Sequence, residues 1–315
     1  MTAVDPAALR FGAAFWVQRT GWPEVRAWGL AAEDAGFDSL WVDDHLLNDE
    51  GDPDDPKLEG WTTLAALAAI TTRPRLGHLV VANTFREPGL VAKLVTTLDD
   101  ISGGRAILGI GAGWFAREHE AFGLDFGATA GERIDRLAES AAILRRLLDG
   151  ERVTHAGRFY RLDGAVARPG PHGARIPILV GGMGRRKTLR VVAASADIWN
   201  GHGAVEDVAD ASAVLDAHCA TIGRDPVSVA RTAALNVVVR PTRQAAEEEF
   251  ARVLARHEVQ PDEKGLHLGG PPDEVAAGLR AYAAAGISET MWIFRHPWDR
   301  ETIAALPAVR AALAG

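Results

Sequence analysis

Short apolar runs and longer stretches of helical periodicity alternate along this chain. The runs at 10–17, 37–42, 75–82, 106–113, 176–182, 197–201, 231–239 and 290–294 are apolar on both faces. Strands of that kind belong to parallel sheets covered by helices. Between and after them, 22–36, 60–73, 88–103, 131–150, 185–196, 205–223, 243–258 and 272–286 follow helical spacing. In the first of these, Val25, Trp28, Ala32 and Ala35 share one face, and Gly36 closes the helix. Eight strand candidates in alternation with helices predict an α/β fold, a (β/α)8 TIM barrel. A doubly wound open sheet is the other arrangement this rhythm allows.

Two segments break the pattern. Residues 150–177 alternate around Gly157 and Gly164 and then reach Pro169 and Pro171, which predicts a β-hairpin plus irregular loop inserted before the fifth strand. Residues 46–59, LLNDEGDPDDPKLE, are too rich in Asp, Pro and Gly for a regular element. They leave the end of the second strand, where barrel enzymes carry lids and site loops. With no repeat and no interdomain linker, residues 1–315 read as a single domain with a C-terminal helix after 300.

Composition narrows the function. At 47% hydrophobic residues the 315-residue chain can bury a large core, and no apolar run approaches a membrane span. A net charge of −8 argues against nucleic acid or an anionic membrane as partner. The single cysteine, Cys219, excludes an internal disulfide, and an N-terminus without a secretory pattern fits the cytoplasm. In REHEAFG (117–123) His119 has no second histidine at i+4, so no metal is expected.

Candidate chemistry clusters where predicted strands end. SLWVDDHLL (39–47) leaves an apolar run for Asp43, Asp44 and His45, which a barrel puts on its catalytic C-terminal face. A histidine there titrates near neutrality and suits proton transfer, with a carboxylate beside it to orient the ring. LGIGAGW (108–114) has its glycines spaced G-x-G-x-G, not as a dinucleotide fingerprint, and reads as a strand kept thin beneath something flat. LVGGMGRRKTL (179–189) runs from a strand through Gly181, Gly182, Met183 and Gly184 to Arg185, Arg186 and Lys187 at a helix start. Backbone N–H groups at such a terminus attract anions, and cations in a first helical turn gain from an anionic partner. Asn83, Thr84 and Arg86 end the third strand, and Asn200 and His202 the sixth. Trp16, Trp61, Trp114 and Phe115 suggest a broad apolar pocket for a small-molecule substrate.

These stretches, in order from about residue 11 to 294, resemble the luciferase-like flavin-dependent oxidoreductase superfamily, and most of all its coenzyme F420-dependent branch. The resemblance rests on FDSLWVDDHLL, on the run from EGWTTLAALAAITT to WFAREHEAFG, and on ERIDRLAESAAILRRLL, GRFYRLD, PILVGGMGRRKTLRVVAASADIWN and GPPDEVAAGLRAYAAAGI. It implies a (β/α)8 barrel with an insertion before the fifth strand, commonly a homodimer, holding a flavin or deazaflavin in the barrel mouth. It further implies Asp44 and His45 as the catalytic pair and a non-proline cis peptide near Leu79–Val80 behind the ring. Ring-edge and tail contacts fall to Asn83 and Thr84, to Gly111 and Ala112, and to the turn from Gly181 to Arg186. Members that oxidise sugar phosphates carry a glutamate after the fourth-strand glycines, where this chain has Trp114. The basic turn suits the anionic tail of F420 and also the phosphate of FMN. The implied reaction is F420-dependent hydride transfer, with FMN-dependent monooxygenation as the alternative.

Overall fold

The computed structural model describes residues 3–173, 175–260 and 265–315. The barrel strands are β1 (Arg10–Phe15), β2 (Ser39–Val42), β3 (Arg75–His78), β4 (Ala106–Gly111), β5 (Ile178–Gly181), β6 (Ile198–His202), β7 (Ala230–Leu235) and β8 (Glu289–Phe294). Neighbours run parallel in the order β3, β2, β1, β8, β7, β6, β5, β4, and β3 pairs again with β4, so the sheet closes into a barrel. Closure rules out the open doubly wound sheet. Every residue of β2 and β4 is buried, as double-sided apolar strands require.

The core has three compartments, the smallest formed by Val238, Ala246, Phe250, Leu254 and Val259 around the helix Arg243–Arg256. Ala14, Trp41, Ile107, Leu179, Ile198 and Met291 fill the barrel, with Trp16, Leu79 and Val80 packed above them. A larger apolar layer joins the outer strand faces to the helices. Side chains cap several of these helices. Glu59 accepts from the amides of Trp61 and Thr62 at the start of Gly60–Ile70, and Thr129 accepts from Glu132 at the start of Ala130–Leu148. Gly36 ends Trp22–Ala35 at φ +90°, as its sequence position predicts. The hairpin Val153–Ala156 with Arg161–Ala165 precedes β5, as expected, although Ala174 of the 150–177 insertion lies outside the described residues.

Several boundaries differ from the expectation. The third strand is not continuous over 75–82. From Gly77 opposite Ile107 to Val81 opposite Ile110 it spends one residue more than β4, and the Leu79–Val80 peptide there is cis. The seventh strand ends at Leu235. Asn236 binds His267 through its amide and Gly265 through its side chain, which diverts Val237–Val239 to pair with Leu268–Gly270 outside the barrel. The helix after β5 starts at Thr188 rather than Arg185. A short helix, Ala116–Phe122, was not anticipated, and the C-terminal helix is split into Arg300–Ala304 and Leu306–Ala314.

The acidic segment 46–59 is tethered rather than lid-like. Buried Lys57 pairs with buried Asp43, and Arg295 grips Glu50 at 2.8 and 3.1 Å. Arg19 meets Asp55 at 2.6 Å, and Asn48 bonds the carbonyls of Asp52 and Asp55. Removing one partner of such buried pairs strands a charge, so they hold this loop against the barrel rim.

Candidate active site

His45 follows β2 at the C-terminal face, packed against a pair of aromatic rings that touch each other at 5.4 Å. Trp114 and Phe115 meet it edge-on, with centroids at 5.3 and 5.9 Å. Its Nδ1 lies 3.0 and 3.2 Å from the two carboxylate oxygens of Glu118, which also accepts from the Leu46 amide at 2.9 Å. A carboxylate only accepts, so Nδ1 carries the hydrogen. Nε2 then remains for a ligand, since it makes no hydrogen bond among the described residues. Burial disfavours the imidazolium. The Glu118 hydrogen bond and the charges of Asp49, Asp43 and Glu118 outweigh it, so the ring titrates above the ordinary imidazole range.

The expectation that Asp44 sits beside this imidazole is corrected. Asp44 Oδ2 accepts from Arg86 at 2.7 Å and from the Ala82 amide at 3.1 Å, while Oδ1 is buried without a partner. β2 ends at Val42, and past it the chain carries Asp44 toward Arg86 and the third strand while His45 meets Glu118. Burial pushes the Asp44 carboxyl up to about 6, with Arg86 pulling the other way. For Asp43, burial is outweighed by Lys57 and His45, together with the Val17 amide, and its carboxyl stays below the usual range.

Leu79 and Val80 are half-buried on top of the inner core. The thin β4 has a packing reason that the sequence did not reveal. A Cβ on Gly109 would stand 1.9 Å from the His78 carbonyl oxygen, and one on Gly111 would stand 2.7 Å from a Val80 methyl. On β5, a Cβ at Gly181 would meet Val80 at 3.0 Å. These glycines make room for the extra residue of the third strand, and that residue presents an apolar seat in the barrel mouth. Ala112 is half-buried next to Gly111. Asn83 is buried and donates to the Tyr160 hydroxyl at 2.9 Å, and Thr84 Oγ1 lies 2.7 Å from His119 Nε2. His119 is thus a brace, and no group of metal-ligating residues occurs among the described residues.

The turn after β5 opens toward solvent. Gly182 has φ +130°, a conformation side chains resist, and its amide is held by the Asn200 carbonyl. Met183 reaches over Gly201 at the end of β6, and Gly184 packs against Thr188. The basic residues are not equivalent. Lys187 is paired with Asp135 at 2.8 Å and Arg185 lies 3.6 Å from Asp210, whereas Arg186 is exposed and makes no ion pair among the described residues.

Sequence reasoning missed Glu118, Tyr160 and Lys57. Glu118 lies in REHEAFG, a stretch weighed only for metal spacing, and Tyr160 lies in the inserted hairpin. No local signal ties either to the barrel mouth.

A family model described as luciferase-like monooxygenase matches residues 8–268. An F420-dependent glucose-6-phosphate dehydrogenase of Microbacterium testaceum is 36% identical over 184 residues, 57% of this chain and 53% of that protein. A 5,10-methylenetetrahydromethanopterin reductase of Archaeoglobus fulgidus is 32% identical over 194 residues, 60% of this chain and 52% of that one. The matches span about half the length of these two relatives. Among solved structures, an F420-dependent secondary alcohol dehydrogenase in complex with an F420-acetone adduct shares the fold. Its TM-score is 0.83 at 20% identity, over 97% of this chain and 99% of that one. With the family model covering most of its length, the chain belongs to the luciferase-like monooxygenase family.

Proposed function

We propose that the chain is an F420-dependent oxidoreductase that moves a hydride between the deazaflavin and a small organic substrate, with His45 managing the accompanying proton. The observation that carries this reading is His45 itself, at the C-terminal end of β2 with Nδ1 bound to Glu118 and Nε2 left for a ligand. The F420 in the names of the relatives supports the choice of cofactor.

The residues of the mouth fit a flat anionic cofactor. Leu79 and Val80 would give the ring an apolar seat, with Gly111 and Ala112 beside it. Asn83 and Thr84 would border the ring edge, with the Asn83 amide and Thr84 hydroxyl already serving Tyr160 and His119. In the turn Gly181, Gly182, Met183, Gly184 the Gly182 amide is on Asn200, so the Met183 and Gly184 amides would meet a phosphate, and Arg185 and Arg186 add positive charge. When bound, F420 supplies a hydride-carrying carbon that reacts little with oxygen, whereas reduced FMN supports monooxygenation. His45 gives or takes one proton at Nε2. Asp44 acts at a distance, securing Arg86 and the Ala82 amide and so the backbone that carries Leu79 and Val80. The family likeness adds a homodimer, which sedimentation velocity checks.

Absorbance titration of the purified protein with F420 and then FMN tests the reading. Micromolar or tighter F420 binding with weaker FMN binding supports it. Equal FMN affinity with oxygen uptake on reduction moves the protein to the monooxygenase alternative.

A further inference from the structure

We propose that Glu118 is a positioning residue that fixes the His45 ring through Nδ1 and presents it to the reaction as an imidazolium acid rather than as a base. The inference rests on the reading of His45 given above and adds the direction of its proton.

Glu118 is 1% exposed and spends its oxygens on two neighbouring groups of the β2 loop, the His45 ring and the Leu46 amide. It is carried by Ala116–Phe122, a short helix whose N-cap makes no side-chain hydrogen bond. His119 anchors that helix instead. Its Nδ1 donates to the Phe115 carbonyl at 2.7 Å, so Nε2 accepts from Thr84 Oγ1 at 2.7 Å. Adjacent residues therefore tie the ends of β2 and β3 to the loop after β4. Trp114 and Phe115 stand about perpendicular to the imidazole, at 80° and 79°. With Nδ1 bound to a carboxylate and two rings against it, the ring is held in one orientation.

The charges that face the ring come from three elements. Asp43 lies at its own strand end, Asp49 in the 46–59 loop, and Glu118 on the short helix. Lys57, the cation of that loop, is engaged by Asp43. A ring so surrounded holds its proton more firmly than a free imidazole does, in line with its raised titration. An imidazolium donates to an oxygen or nitrogen that gains negative charge as hydride arrives, as in reduction of a C=O or C=N group. In that step the hydride forms a new C–H bond, the π pair moves to the heteroatom, and His45 protonates it from Nε2. In the opposite direction the ring must first lose its proton, so oxidation gains as pH rises through the raised value.

The test is an NMR titration of the His45 ring nitrogens, with no cofactor added. Wild type is compared with Glu118→Gln and Glu118→Asp, and the resonance is assigned by its loss in His45→Ala. Proton affinity should fall on the order of tenfold in Glu118→Gln, a midpoint lower by about one pH unit, and recover in part in Glu118→Asp. Glu118→Gln should also lower kcat for substrate reduction while leaving cofactor affinity unchanged. An unchanged midpoint in a variant that is folded by circular dichroism overturns the proposal. If Glu118→Gln does not fold, Glu118→Asp decides, since shortening the side chain must lower the midpoint if the contact matters. A shifted midpoint alongside normal turnover of His45→Ala sinks the catalytic reading and leaves the pairing intact. An unmoved midpoint with inactive His45→Ala does the reverse.

Discussion

Replacing Asp44 by Asn should change the slope of stability against pH. Asp44 is 2% exposed, and burial pushes its carboxyl from the ordinary 3.8 up to about 6. Between those values the folded protein keeps a proton that the unfolded chain has released. Stability from this group is therefore full below about pH 4 and is lost as pH rises through about 6. A separation of about 2 units at 1.36 kcal/mol per unit amounts to a fall of about 3 kcal/mol across the window. The amide of Asp44→Asn does not titrate, so the variant lacks this descent. It does leave Arg86 with only the half-exposed Glu59, but Arg86 stays charged throughout, so that cost is nearly constant and drops out of the slope. His78 acts with the opposite sign. Burial pushes its imidazole down to about 4, so its contribution is present above pH 6.5 and is lost as pH falls toward about 4. It occurs in both proteins and cancels in their difference. Urea unfolding of the two proteins at about pH 4, 5, 6 and 7 measures that difference. It should move about 2.5 kcal/mol in the variant's favour from the lowest pH to the highest, since at pH 4 the unfolded carboxyl is already partly ionised. A flat difference, or one that moves toward the wild type, would mean that Arg86 holds Asp44 ionised, and the reasoning fails.

Other outcomes follow from the same geometry. His45→Ala should lose roughly 10²–10⁴ in turnover while folding and binding cofactor as before, measured by steady-state kinetics beside an F420 titration. Arg186→Glu should weaken cofactor binding more at low salt than at high salt, because Arg186 is the basic residue of the turn with no protein partner among the described residues. Gly109→Ala should lower stability by about 1–3 kcal/mol in thermal unfolding, since its Cβ would meet the His78 carbonyl at 1.9 Å and the backbone cannot yield freely. Glucose 6-phosphate should not reduce F420 in a spectrophotometric assay, because Lys57, Arg86 and Arg295, which follow β2, β3 and β8, are all engaged by carboxylates.

The barrel was legible because its signal is local and repeated. Apolar runs such as AILGIG can be stable only when covered on both sides, and Gly36 marks a helix end through short-range bonds. His45 could be placed at the C-terminal end of the barrel for the same reason, since a strand's end follows from its apolar run. What could not be read depends on contacts between residues far apart in sequence. Glu118 lies 73 residues from His45, and Tyr160 lies 77 from Asn83. The glycines of β4 looked like room for a ligand, yet they give space to His78 and Val80 on the next strand. The basic run Arg185, Arg186, Lys187 looked uniform until Asp210 and Asp135 approached two of its members from other helices. By itself the sequence determined the alternation of strands and helices, the barrel they build, and the place of His45 just past the end of β2. Only the tertiary structure decided which carboxylate meets which cation. Ion pairing depends on side-chain direction and burial where distant loops converge, and no period along the chain encodes that.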